Sequence, residues 1–206
     1  MAPTKRRKTK PPRARLDVDE RRAQLLALGL DLFSERAYDA ISIDEIALAA
    51  GISKGLLYHY FPTKRDFYAA AIREASRQLL HCTRPDESAP PIARMRLGLD
   101  AYLTFVERRG PAYSALMRGG IGSDPAVAGI VQETRDRFLE RLIENVPATE
   151  IAPALRATLR GWIGFVEAAS LDWVERREMG REALRDLCSE VLIESIAVAM
   201  RRTSTR

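Results

Sequence analysis

From Asp17 onward, almost every segment repeats its apolar residues at the period of an α-helix, and Pro and Gly cut that pattern into pieces. Leu25, Leu28, Gly29, Leu32 and Phe33 follow the i, i+3, i+4, i+7, i+8 spacing of one buried helix face. No segment alternates at strand period, since Ile41-Ser42-Ile43 is too short to count. Breaks fall at Pro62, 84–91, Arg109-Gly110-Pro111, 119–125, 146–153 and Gly180. Between them the spacing predicts helices near 18–36, 43–50, 54–61, 64–82, 91–108, 111–118, 125–145, 152–178 and 181–201. The expected fold is therefore all-α, with about nine helices and no internal repeat. Short helices near the start and long ones near the end suggest a compact N-terminal module followed by a larger helical body.

Composition narrows the class. Apolar residues make up 46% and charged residues 30% of 206, which excludes a wholly disordered chain and leaves room for a sizeable core. No stretch approaches the roughly 20 apolar residues of a membrane span, and the polar start Met1–Lys10 reads as no secretory signal. Cys82 and Cys188 lie far apart, and only His59 and His81 accompany them. Neither a disulfide framework nor a metal site is expected, and a reduced cytoplasmic setting follows. The formal net charge is +5, yet residues 1–15 alone hold seven cations and no acid, so the remainder sums to −2. This arm, with Pro3, Pro11 and Pro12, is expected to be disordered on its own. It reads either as a solvated tail or as a phosphate-following arm on nucleic acid or an anionic membrane. Composition does not choose between them.

The stretch 42–64, SIDEIALAAGISKGLLYHYFPTK, carries the functional signal. Ser42 and Glu45 have capping-box spacing at the start of one short helix. Gly51 stands where that helix must stop and turn through a left-handed conformation, Ser53 can cap a second helix, and Pro62 ends it. Two short helices across a tight glycine turn make a helix-turn-helix. In the second helix Leu57 and Phe61 point to the first, along with Leu56 or Tyr60. Lys54, Gly55, Tyr58 and His59 share much of the opposite face. A cation, two ring donors and a bare glycine backbone suit close approach to DNA, where the N-terminal residues of such a helix reach base edges. Lys64 begins the next helix, whose N-terminus after Thr63 offers N–H groups to a phosphate.

These residues resemble the DNA-binding domain of the TetR family of bacterial one-component regulators. The resemblance runs from Arg22 to Phe67, through Leu25-Leu26, Leu32-Phe33, Tyr38, Ile46-Ala47, Ala50-Gly51-Ile52-Ser53, Leu57-Tyr58, Tyr60-Phe61 and Lys64. It implies a phosphate-contacting hydroxyl at Ser42, base contacts from Lys54 and Gly55, and phosphate contacts from Tyr58, Tyr60 and Lys64. His59 lies among them, and Ser53 completes the DNA-binding set. One departure is Ala37, where the family usually has glycine; a left-handed alanine there would cost on the order of 1 kcal/mol. The resemblance further implies a homodimer through a four-helix bundle built from helices 152–178 and 181–201. It implies as well a double-stranded DNA operator and a small-molecule effector.

The body offers Tyr102, Phe105, Tyr113, Met117, Phe138, Trp162 and Phe165 as candidate lining of an apolar cavity. Scarce polar candidates point to a hydrophobic or amphipathic ligand. No catalytic set is suggested, because His81-Cys82 are sequence neighbours that cannot face each other. Gly119-Gly120-Ile121-Gly122 follows no strand and precedes no lysine, so it reads as an interhelical loop rather than a phosphate loop. No cofactor or metal is expected. The expected domains are a basic arm at 1–17, the helix-turn-helix domain at 18–63, a connecting helix at 64–82 and a ligand-binding and dimerisation domain at 83–206. The expected function is a ligand-responsive, sequence-specific DNA-binding regulator, a repressor released by its ligand. The rival readings are a small all-helical enzyme and a polybasic membrane-surface protein.

Overall fold

The computed structural model describes residues 18–145 and 152–203. The basic arm and most of the break at 146–153 lie outside the described residues. Among the described residues there are nine α-helices and no strand. They are α1 (Val18–Glu35), α2 (Ile43–Ala49), α3 (Lys54–Tyr60), α4 (Lys64–Cys82), α5 (Pro91–Arg108), α6 (Gly110–Met117), α7 (Pro125–Glu144), α8 (Pro153–Arg176) and α9 (Arg181–Thr203). Each end falls within two residues of its predicted bound. Pro sits in the first turn of α5, α6, α7 and α8, where its missing N–H costs no helical hydrogen bond. The glycine-rich break contains a short 3₁₀ turn, Gly120–Ser123. None of the described helices is long and apolar enough to cross a membrane.

Two apolar cores organise these helices. The first joins α1, α2, α3 and the N-terminal half of α4, with Ile46, Leu57 and Phe67 fully buried. Phe67 on α4 lies against Phe61 and Phe33, with ring centroids 4.9 and 5.8 Å away. Its ring also fits over Gly29 of α1, so closely that a Cβ there would stand 2.7 Å from Phe67 Cζ. This approach turns the buried face of α1. Leu25, Leu26, Gly29, Leu30 and Phe33 are buried, whereas Leu28 and Leu32, expected on that face, are only half-buried at its edge. Ala37 takes an extended conformation, φ −61° and ψ 152°, so its missing glycine costs no strain.

The second core joins α5, α7, α8 and α9. Trp162 Nε1 of α8 donates to the Cys188 carbonyl of α9 at 2.8 Å, tying the last two helices together. Helix α7 belongs to both cores. Val127 and Ile130 near its start are buried in the first, and Leu139 is buried in the second. Asp124, which caps α7, also receives a forked Arg65 guanidinium from α4, with Nη2–Oδ1 at 2.9 Å.

Candidate nucleic-acid interface and effector cavity

Local chemistry builds the helix-turn-helix. Ser42 Oγ accepts from Glu45 N at 3.1 Å and Glu45 Oε2 accepts from Ser42 N at 2.7 Å, which closes the capping box. Those hydrogen bonds, with Arg36 donating to Glu45 Oε1 at 3.0 Å, pull the Glu45 carboxyl down to about 2. The Ser42 hydroxyl spends an acceptor site here and keeps its proton to donate. Gly51 has φ +63°, the left-handed turn expected after α2. Ser53 Oγ then accepts from Leu56 N at 3.2 Å and starts α3.

The faces of α3 separate. Leu57 is buried, Phe61 beyond the helix end is buried, and Tyr60 is half-buried against the first core. Lys54, Gly55, Tyr58 and His59 are exposed together, with open space around Gly55 where a Cβ would be. Leu56 stays on the exposed side as well. Lys54 Nζ donates to Asp44 Oδ2 of α2 at 3.0 Å, an exposed pair that raises the lysine's proton affinity. Water screens that pair and holds the lysine to it only weakly, so an acceptor on DNA can replace the carboxylate. Lys64 Nζ lies 4.0 Å from the centroid of the Tyr38 ring, at the start of α4. Thr63 Oγ1 caps that helix by accepting from Asp66 N at 3.1 Å.

A cavity of about 330 Å³ opens in the body between α4, α5, α6, α7, α8 and α9. Tyr102, Phe105, Tyr113, Met117, Phe138 and Trp162 line it. Phe165 does not; it packs half-buried on the body core instead. On α8 the lining arc runs from Trp162 through Val166 and Ile163 to Glu167, and at 100° per residue Phe165 falls about 60° outside it. Reading residue types without the helix's rotation about its own axis placed it wrongly. Sequence reasoning missed the polar lining: Arg94, Arg135, Arg141, Asn145 and Glu167. Charged residues spread over three helices look like solvated faces until the helices are brought together.

Comparisons with known proteins agree with this geometry. Residues 25–71 match the family description "Bacterial regulatory proteins, tetR family", and residues 91–194 match "Tetracyclin repressor-like, C-terminal domain". The HTH-type transcriptional activator FasR of Mycolicibacterium smegmatis is 30% identical over 165 residues, 77% of this chain and 72% of FasR. The HTH-type transcriptional repressor KstR of Rhodococcus jostii is 24% identical over 172 residues, 82% of this chain and 79% of KstR. A tetR-family transcriptional regulator of known structure from Streptomyces coelicolor superposes with a TM-score of 0.85 at 36% identity, covering 91% of this chain and 85% of that one.

Proposed function

The chain belongs to the TetR family of bacterial regulatory proteins, and from that premise we propose that it is a homodimeric repressor released from its operator by an amphipathic ligand. It is a ligand-responsive, sequence-specific DNA-binding transcriptional regulator. The observation that carries the docking mode is the exposed quartet Lys54, Gly55, Tyr58 and His59 on a helix that Ser53 caps just after the left-handed Gly51 turn. Lys54 and Gly55 lie at the N-terminal end of α3, the end that reaches base edges in a major groove. Ser42 and Ser53 stand at the N-terminal ends of α2 and α3, Tyr60 at the C-terminal end of α3 and Lys64 at the start of α4, and these serve the phosphates. Residues 18–63 make the DNA-binding domain, 64–82 the connector, and 83–206 the effector and dimerisation domain.

The dimer reading rests on two adjacent faces. On α8, Ala157, Gly161, Gly164 and Ala168 are exposed along one stripe, and a Cβ on either glycine would meet nothing within the chain. Their small size serves no contact inside one subunit. On α9, Leu187 and Val198 share one face and stand 41% and 45% exposed. A second copy of the chain, packing α8 and α9 against its own pair, covers both.

Release follows from helices shared between the two regions. Ile72, Ala75 and Leu79 of α4 and Thr83, which follows it, line the cavity, as do Val131, Phe138 and Arg141 of α7. Both helices anchor their N-terminal ends in the DNA-binding core. A ligand that favours one setting of α4 and α7 changes the separation of the two recognition helices from the ~34–36 Å that successive major grooves demand. It weakens DNA binding by its differential affinity for the two settings.

The test begins with fragments selected from genomic DNA, which supply the operator. Lys54→Ala is expected to weaken operator binding about 10- to 100-fold, the range for one lost base contact, with thermal stability unchanged. Tyr58→Ala is expected to weaken all duplexes by similar factors, as a lost phosphate contact does. Normal operator binding by both variants, or unfolding of either, contradicts this docking. Deleting residues 1–15 is expected to make the salt slope shallower by about 2–3 per subunit, if only part of the seven charges there meet phosphates at once. Titrations at several salt concentrations, with anionic vesicles as a control, read this directly. An unchanged slope reduces the arm to a solvated tail.

A further inference from the structure

The two ends of the body cavity differ in charge, and the difference selects a ligand. At the inner end Arg135 is neutralised within the chain, its Nη2 and Nε donating to Glu167 Oε2 at 2.8 and 3.0 Å and its Nε to Oε1 at 2.9 Å. Beside it the Tyr102 and Tyr113 phenols share a hydrogen bond of 2.9 Å, and Tyr113 donates onward to the Glu167 carbonyl at 3.2 Å. Burial pushes both phenols well above their ordinary range, so they stay protonated and uncharged.

The outer end is different. Pro91 and Asn145, the only exposed ones among the described residues lining the cavity, both lie there and mark the mouth. Arg94 and Arg141 flank it. Arg94 donates through Nε to the Ala89 carbonyl at 2.7 Å and through Nη1 to Asn145 Oδ1 at 3.4 Å. Arg141 donates through Nη2 to the Leu80 carbonyl at 2.7 Å and through Nη1 to Thr83 Oγ1 at 3.2 Å. All four acceptors are neutral. Elsewhere Arg65, Arg96, Arg118, Arg160 and Arg181 each meet a carboxylate. Burial and the nearby Arg84 cation both lower the proton affinity of Arg141, and Glu144 opposes them more weakly. Each guanidinium has five N–H donors and commits two of them here, which leaves the others for an incoming acceptor. Two half-buried cations held only by neutral acceptors are under-compensated, and an anion between them offsets that cost.

The space behind the mouth is mostly apolar. Along α5, Met95, Gly98, Leu99, Tyr102 and Phe105 follow Pro91 and Arg94 on the cavity side, a run about 21 Å long at the helical rise. That run, with its mostly apolar lining, suits an extended hydrocarbon chain. We propose that the cavity takes a single-chain amphiphile with its anionic headgroup held between Arg94 and Arg141 at the mouth. Its hydrocarbon tail runs inward along α5 to the Tyr102–Tyr113 pair. This assignment rests on the cavity being the effector site. A free carboxylate and a phosphate-bearing thioester headgroup offer the same charge-assisted hydrogen bonds.

Calorimetric titration of the full chain with dodecanoate, lauroyl-CoA, dodecanol and dodecylamine tests the assignment. At least one anionic probe is expected to bind about ten-fold or more tightly than dodecanol, with an advantage that shrinks as salt rises, and dodecylamine is expected to bind weakest. Which anion wins identifies the headgroup source. Arg94→Gln with Arg141→Gln is expected to bring the anions to the level of dodecanol and leave dodecanol unchanged. The single substitutions and the salt dependence of the unaltered protein give the same reading if the double variant does not fold. Dodecanol binding as tightly as both anions, or anion binding that survives Arg→Gln, overturns the headgroup site. If dodecanol nevertheless displaces operator DNA, the effector reading stands without it. If no chain-bearing probe binds, both fall.

Discussion

Gly164→Arg is expected to convert the protein to a monomer and to lower operator affinity by about 10²–10⁴-fold. That is the factor lost when two linked half-site contacts become two independent ones. The substitution is informative because the single chain tolerates it. A Cβ at Gly164 meets nothing within the subunit, and replacing a mid-helix glycine favours α8 by itself. Helical content and the body core should therefore survive, while a long cation fills the groove that the partner's α8 would occupy. Sedimentation velocity separates monomer from dimer, and circular dichroism shows that the fold persists. A dimer that survives with normal operator binding places the interface on another face.

Phe67→Ala is expected to cost about 3–5 kcal/mol, the usual loss for a fully buried aromatic side chain, and to lower the melting temperature by roughly 6–20 °C. Phe67 is fully buried, and its ring is the one that α1, the Phe61 turn and α4 share. Removing it empties the space over Gly29 and frees the end of α3, so operator binding should fall even where most of the chain remains folded. Most apolar residues lining the cavity lie in the second core, which does not contain Phe67, while Ile72, Ala75 and Leu116 belong to the first. Probe binding there at low temperature should therefore outlast DNA binding. Calorimetry and DNA titration on one preparation decide this, and an unchanged melting temperature would contradict the packing described.

How much of this was legible beforehand depends on the range of each interaction. The capping box at Ser42 and Glu45, the left-handed Gly51, the Ser53 cap and the Pro residues that open α5 to α8 act over four residues or fewer. Their chemistry is written in the order of the chain, so helix bounds and the helix-turn-helix could be read from it. The exposed quartet on α3 was readable for the same reason, because a seven-residue helix leaves few ways to share its faces.

What only the tertiary structure decided involves partners far apart in sequence. The burial of Leu26 and Leu30 rather than Leu28 and Leu32 depends on where Phe67 comes to rest on Gly29. The exclusion of Phe165 depends on the rotation of α8 about its axis, and periodicity fixes which residues share a face without fixing what that face meets. The membership of α7 in both cores, and its Asp124–Arg65 link to α4, could not be inferred from an amphipathic pattern. The same holds for the mouth of the cavity. Arg94 and Arg141 are ordinary helix cations in sequence, and only the packing of α4, α5 and α7 withholds a carboxylate from both and sets them at one opening.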